Sequence, residues 1–131
     1  MRRRTSLSYP LRTVVAMDHH NIKLGRAGED RAAAHYRSLG YEILARNWRA
    51  GRSGEIDLVL VRDGVVVICE VKTRSSDRFG TPAEAVDWRK QRRLRGLALQ
   101  FLDAHAVRAG CIRFDVASVR GEVVELIEAA F

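Results

Sequence analysis

Two runs rich in valine and isoleucine, separated by the dipeptide Asp63-Gly64, constrain the fold more than any other feature of this sequence. The runs span residues 55–62 and 65–73. A type I′ turn needs a positive φ at both central positions, which Asp-Gly adopts readily, so the pattern predicts a β-hairpin. Apolar residues fill both alternating sets of positions in its middle, which indicates a central pair of strands covered on both faces.

The rest of the chain predicts an α/β domain with the element order α-β-β-β-α-β-β. The additional elements expected are a helix over 24–39, a strand over 41–48, a helix from 81 to about 104, and strands over 111–119 and 122–127. Thr81, Pro82 and Glu84 form a capping box at the start of the second helix. The last strand is expected at an edge of the sheet.

Composition and charge narrow the class of protein. The 131 residues suit one domain, and no apolar run approaches the ~20 residues that cross a bilayer. Cys69 and Cys111 are too few for a disulfide scaffold, which favours the cytoplasm. The net charge of +7 suggests a polyanionic partner. Residues 1–21, which begin with an arginine-rich stretch, are predicted to be a disordered basic leader, and 22–131 a single domain.

The register of the hairpin predicts a cluster of charges at its open end. With Asp63 and Gly64 as turn residues, Asp57 lies opposite Glu70 and Glu55 lies opposite Lys72. These four side chains project from one face, because side chains alternate along a strand. Opposed Cβ atoms are about 5 Å apart, so the two carboxylates repel unless a proton or a cation lies between them.

Two interpretations of this cluster stay open at the level of the residues. One is a partly exposed ion-pair network in which Lys72 neutralises Glu55 and Glu70. The other is a divalent-metal site, because carboxylates such as Asp57 and Glu70 suit Mg²⁺. Lys72 would then hold or activate an attacking water, and Glu29 of the first helix would add a ligand or a hydrogen bond.

A basic stretch follows the acidic cluster, with five basic side chains among residues 89–95. On a helical wheel Lys90 falls inside the apolar stripe, so it must snorkel to solvent or meet an acid, and the acidic cluster is a candidate partner. One interpretation is a solvated basic face. The other is contact with phosphates, made by Lys90, Gln91, Arg92, Arg93, Arg74 and Arg49.

The tryptophan and cysteine side chains are expected to serve the packing of the fold. Trp48 and Trp88 are expected to be packing groups. Cys69 and Cys111 are expected to be buried strand residues.

The two charged motifs resemble the signature of the PD-(D/E)xK nuclease superfamily, here Gly54-Glu55-Ile56-Asp57 followed by Cys69-Glu70-Val71-Lys72. A wider set of motifs, at 25–30, 40–44, 46–49, 79–80 and 90–94, resembles the YraN-like family of small bacterial proteins. That family is a branch of the superfamily similar to archaeal Holliday-junction resolvases. The resemblance implies a restriction-endonuclease-like fold, a mixed sheet of about five strands flanked by helices.

The resemblance also implies roles for individual residues. Asp57, Glu70 and the backbone carbonyl of Val71 match the metal ligands, Lys72 the catalytic lysine and Glu29 the first-helix acid, with Glu55 in support. The implied activity is hydrolysis of DNA phosphodiester bonds with Mg²⁺ or Mn²⁺, and branched DNA is one candidate substrate. By analogy with the resolvases, a homodimer is expected. The alternatives are a non-catalytic nucleic-acid-binding protein with this fold and, third, a partner-binding module with a structural ion cluster.

Overall fold

The computed structural model describes residues 19–74 and 86–131, which form one five-stranded sheet and two helices. In chain order the elements are α1 (His19–Ser38), β1 (Glu42–Arg49), β2 (Glu55–Arg62), β3 (Val65–Thr73), α2 (Trp88–Ala104), β4 (Cys111–Arg120) and β5 (Val123–Ile127). The predicted α/β class and the element order α-β-β-β-α-β-β are confirmed.

The strands lie in the sheet in the order in which they occur in the chain, β1-β2-β3-β4-β5. Neighbouring strands are antiparallel except β3 and β4, which run parallel and are connected through α2. Asp63 and Gly64 both have positive φ, 51° and 79°, as a type I′ turn requires. The hairpin is therefore central, and β5 is at an edge, as predicted.

One helix covers each face of the sheet. On one face, Leu94, Leu97 and Phe101 of α2 are buried in a cluster that includes Val66 and Ile68 of β3. On the other, small residues of α1 lie against the sheet, and a second buried cluster holds Ala32, Ala33, Tyr36, Leu58, Leu60, Val67 and Cys69. A covered central hairpin explains why both of its alternating sets of residues are apolar.

The start of α2 differs from the prediction. The helix begins at Trp88, and the carboxylate of Asp87 caps it by accepting a hydrogen bond from the Lys90 backbone nitrogen at 2.9 Å. Val86 and Asp87 lie outside the helix, so a continuous helix from Thr81 is wrong. Asp is as strong an N-cap as Ser or Thr, and the Asp87 side chain reaches its third following residue. The capping box at 81–84 lies outside the described residues.

The first helix begins at His19, earlier than the expected residue 24 and inside the segment predicted as a leader. Residues 1–18 lie outside the described part of the chain, so the leader stays a prediction. Within the described ranges, neither helix is long and apolar enough to span a membrane.

Two expectations about burial are wrong. Trp88 is 59% exposed, because it lies on the side of α2 opposite the apolar stripe, and the Arg89 guanidinium stacks 5.0 Å from its ring. Cys111 is exposed, because it is the first residue of β4. Trp48 does pack in the core, edge-on against Phe101 with ring centroids 5.3 Å apart.

Candidate active site at the open end of the hairpin

The hairpin ladder confirms the predicted register and ends at the first acid of the site. Leu58 pairs with Cys69, and the pairing continues to the turn. One residue beyond Leu58, Asp57 Oδ2 accepts a hydrogen bond from the Val71 backbone nitrogen at 2.8 Å. A side-chain carboxylate thus satisfies this amide where the pairing of β2 with β3 stops. The bond fixes the Asp57 carboxylate against β3, one residue from Glu70.

Glu70 is buried between two ammonium groups. Its residue is 5% exposed, and its Oε2 atom lies 2.6 Å from Lys90 Nζ and 3.5 Å from Lys72 Nζ. The Lys90 contact is the one predicted from a lysine placed within the apolar stripe of α2. Because a buried carboxylate is stable only when paired or hydrogen-bonded, the two lysines explain how Glu70 is tolerated here.

The partner of Glu55 differs from the prediction. Glu55 forms an ion pair with Arg49 at 3.0 Å, and these residues are cross-strand partners in β1 and β2. The expected neutralisation of both acids by Lys72 is therefore wrong for Glu55. Arg49 lies directly opposite Glu55, whereas the pairing of β2 with β3 ends at Leu58.

Glu29 of α1 is held in place from β1. The residue is 8% exposed and accepts a hydrogen bond from Asn47 Nδ2 at 2.8 Å. Asn47 has a φ of 52°, an uncommon left-handed conformation within a strand. Arg46 lies 3.7 Å from Glu29 and 2.7 Å from Asp30. Burial raises the pKa of Glu29, although the hydrogen bond from Asn47 and the charge of Arg46 oppose the rise. The negative charge of Glu55 adds to the rise, so Glu29 interacts electrostatically with the cluster.

Burial and the proximity of the acids together set the electrostatics of the site. Burial raises the pKa of Asp57 to about 8, and the negative charge of Glu70 acts in the same direction. The hydrogen bond from the Val71 amide opposes the rise without cancelling it. Without a bound cation, this environment therefore favours the protonated form of Asp57. A cation placed between the carboxylates would reverse this preference.

An open cleft of about 300 Å³ brings the charges together. It is lined by Arg49, Gly54, Glu55, Asp57, Glu70, Lys90, Arg93 and Leu94. A Cβ atom on Gly54 would lie 3.0 Å from Arg93 Cδ, and Gly54 has a φ of 124°, so glycine allows the Arg93 stem to lie against this loop. The cleft thus contains both carboxylates and basic side chains.

The remaining predicted phosphate contacts are placed outside this lining. The Gln91 side chain donates to the Val86 carbonyl at 3.0 Å and is not extended toward a phosphate. Arg92 is exposed on α2. Arg74 follows β3, and its backbone nitrogen donates to the Val119 carbonyl at 2.8 Å.

The chemistry of the donors fits a divalent cation that keeps some of its water. Within the described ranges, no three His, Cys, Asp or Glu side chains form a ready-made metal cluster. Asp57 and Glu70 supply hard oxygen atoms at one cleft, and Mg²⁺ is commonly held by one or two carboxylates together with water and phosphate oxygens. The residues present therefore fit a Mg²⁺ site in which water and phosphate oxygens supply the remaining ligands.

Sequence reasoning missed a second, fully buried carboxylate. Asp115 of β4 is 0% exposed and accepts hydrogen bonds from the Tyr36 hydroxyl at 2.8 Å and from two Arg113 nitrogens at 2.9 Å each. The Ala129 backbone nitrogen donates to it at 3.0 Å. The signal was an Asp two residues after an Arg in an otherwise apolar strand. This network ties α1 and the C-terminal segment to β4.

Comparisons with known proteins place this arrangement in a family. The model of the family described as "Uncharacterised protein family UPF0102" matches residues 28–119, a range that contains every acid and lysine of the cleft. A UPF0102 protein of Frankia casuarinae is 50% identical over 113 residues, covering 82% of this chain and 95% of that protein. UPF0102 proteins of Acidothermus cellulolyticus and Moorella thermoacetica are each 45% identical over 82% of this chain, covering 92% and 93% of their own lengths. These matches confirm the YraN-like resemblance, and the chain belongs to the UPF0102 family.

Proposed function

We propose that this protein is a metal-dependent nuclease that hydrolyses phosphodiester bonds in DNA, with branched DNA among its candidate substrates. One observation carries the proposal. Asp57 and Glu70 line the same cleft, and Lys72 lies 3.5 Å from Glu70. This combination of two hard-oxygen ligands and a neighbouring ammonium suits phosphoryl chemistry, which depends on positioning and on charge stabilisation.

Each residue has a distinct role in this proposal. Asp57, Glu70 and the Val71 carbonyl would hold Mg²⁺ or Mn²⁺. The bound metal would supply Lewis-acid polarisation of a phosphate oxygen and a more acidic water. Lys72 orients the attacking water and offsets negative charge on the phosphate. Glu29, fixed by Asn47, supports the ligands from α1.

The basic side chains of the cleft would hold the DNA backbone. Arg49 is 67% exposed at the side chain and pairs with Glu55 at 3.0 Å, a geometry that leaves part of its guanidinium open to solvent. Arg93 lies on the same cleft. Arg92 and Arg74 extend the positive surface, and each phosphate contact adds to the salt dependence of binding. The homodimer expected by analogy stays a prediction.

A second candidate function is a nucleic-acid-binding protein that does not cut. It is favoured by the 2.6 Å contact between Lys90 Nζ and Glu70 Oε2, since this ion pair already neutralises one of the proposed ligands. In that case the basic cleft would bind phosphates while the acids served the fold.

The deciding experiment is a cleavage panel with purified full-length protein. Linear, nicked, flapped and four-way-junction DNAs are incubated with Mg²⁺, with Mn²⁺ and with EDTA. We expect metal-dependent cleavage that is lost in Asp57→Asn and Lys72→Met. Matched controls are Glu122→Gln and Arg108→Met, which remove exposed charges outside the cleft. Binding with steep salt dependence but without cleavage would favour the second function, and no binding even at low salt would leave a structural ion cluster.

A further inference from the structure

We propose that Lys90 is the built-in counter-ion of the acidic pair and competes with a divalent cation for Glu70. The inference rests on the proposed metal site and adds a residue that controls when that site can be loaded. In the absence of metal, the Lys90 ammonium occupies the position next to Glu70. Metal binding requires it to leave.

The contact distances single out Lys90 over Lys72. Lys90 Nζ donates to Glu70 Oε2 at 2.6 Å, a short charge-assisted hydrogen bond, whereas Lys72 Nζ lies 3.5 Å from the same oxygen. The Glu70 side chain is 6% exposed and both lysines are about one-third exposed. The lysine ammoniums therefore have access to water, and Glu70 has little. Lys90 is the principal group that neutralises Glu70.

The backbone of Lys90 is fixed while its side chain is free to move. Its backbone nitrogen is held by the Asp87 cap at the first turn of α2. Four rotatable bonds separate that fixed point from the ammonium. The ammonium can therefore leave Glu70 for the open cleft without any change in the helix. Once it has left, the ammonium lies with the Arg93 guanidinium in the cleft, where both can contact a phosphate.

Competition follows from the charges at one oxygen. A divalent cation coordinated by Glu70 and the Lys90 ammonium 2.6 Å from Glu70 Oε2 repel each other, because like charges this close interact strongly in a partly buried site. The apparent affinity for metal is consequently reduced by the strength of the Lys90–Glu70 contact. By linkage, metal binding weakens that contact to the same extent.

The test measures metal affinity directly and does not depend on catalysis. Free Mn²⁺ is quantified by electron paramagnetic resonance during titration of the full-length protein, without DNA. Lys90→Met should bind Mn²⁺ about tenfold more tightly than the wild type, equivalent to ~1.4 kcal/mol. Lys90→Arg, which keeps the charge, should stay within about threefold of the wild type. Arg89→Met, a matched loss of one charge from an exposed position on the same helix, should change affinity less than twofold.

Equal or weaker Mn²⁺ binding by folded Lys90→Met would overturn the inference. If Lys90→Met does not fold, nuclear magnetic resonance of the lysine side chains decides. The Lys90 signal, assigned by its absence in Lys90→Arg, should move on addition of Mg²⁺, and a stationary signal in metal-loaded protein would overturn the inference.

Glu70→Gln separates this inference from the proposed function. Binding that disappears in Glu70→Gln but is indifferent to Lys90 overturns the inference alone. Absence of Mn²⁺ binding in the wild type and in Lys90→Met overturns both.

Discussion

Replacement of Asp57 by asparagine should stabilise the metal-free protein, and the gain should grow with pH. The pKa of Asp57 is about 8 in the folded protein against an ordinary value near 3.8. Between these values the folded state binds a proton that the unfolded state has released, so wild-type stability falls as pH rises. The loss is up to ~1.4 kcal/mol per pH unit, or about 6 kcal/mol across the whole window. Water in the cleft screens part of this electrostatic effect. We therefore expect about half of the loss in stability, ~3 kcal/mol, at pH 8.

The measurement is urea unfolding in EDTA at pH 5 and pH 8, followed by tryptophan fluorescence. Asparagine can still accept the hydrogen bond from the Val71 amide, so the contact at 2.8 Å is not lost. Asp57→Asn should exceed the wild type by ~1 kcal/mol at pH 5 and ~3 kcal/mol at pH 8. Glu55→Gln, the control, should change stability by less than ~1 kcal/mol at both, because its ion pair with Arg49 is largely exposed. A difference for Asp57→Asn that does not depend on pH, or a destabilisation at pH 8, would refute this account of the site.

Three other substitutions test the scaffold by urea unfolding. Asp115→Ala should lower the free energy of unfolding by ~3–5 kcal/mol, because it leaves the half-buried Arg113 charge without its carboxylate. If Asp115→Asn restores little of the lost free energy of unfolding, the charge of Asp115 is responsible for the loss. Full recovery in Asp115→Asn would contradict this reason. Gly28→Ala should cost ~1–3 kcal/mol, because the new Cβ would overlap the Thr73 side chain. The same change in a Thr73→Ala background should be close to neutral. Asp87→Ala should cost ~1 kcal/mol by removing the cap of α2, whereas Asp87→Asn should retain most of it.

The hairpin was predictable because its signals are local. Asp63-Gly64 specifies the turn, the turn specifies the register, and the register places Asp57 near Glu70. The start of α2 was not predictable in the same way. Two good caps, Thr81 and Asp87, lie within one segment, and local chemistry does not rank them. The contact of Lys90 with Glu70, available when the helix begins at Trp88, is tertiary.

The partners of the charged groups were predictable only where the periodicity of a strand or a helix fixes them. The position of Lys90 within an apolar stripe indicated an acidic partner correctly. The pairing of Glu55 with Arg49 depended on the register between β1 and β2, which contains an irregularity between Ile43 and Ala45. No turn signal marks that shift in the sequence. For the same reason, the support of Glu29 by Asn47 emerges only from the folded chain.

The surroundings of Asp115 and of Asp57 differ in how completely the fold supplies hydrogen bonds to a carboxylate. Asp115 receives hydrogen bonds from a tyrosine, an arginine and a backbone amide, and water has no access to it. Asp57 accepts a hydrogen bond from the Val71 amide and lines an open cleft, and its pKa is raised by burial and by the charge of Glu70. A purely structural cluster would be more stable with the first arrangement. The raised pKa of Asp57, next to a lysine with a flexible side chain, therefore supports the proposed cation site.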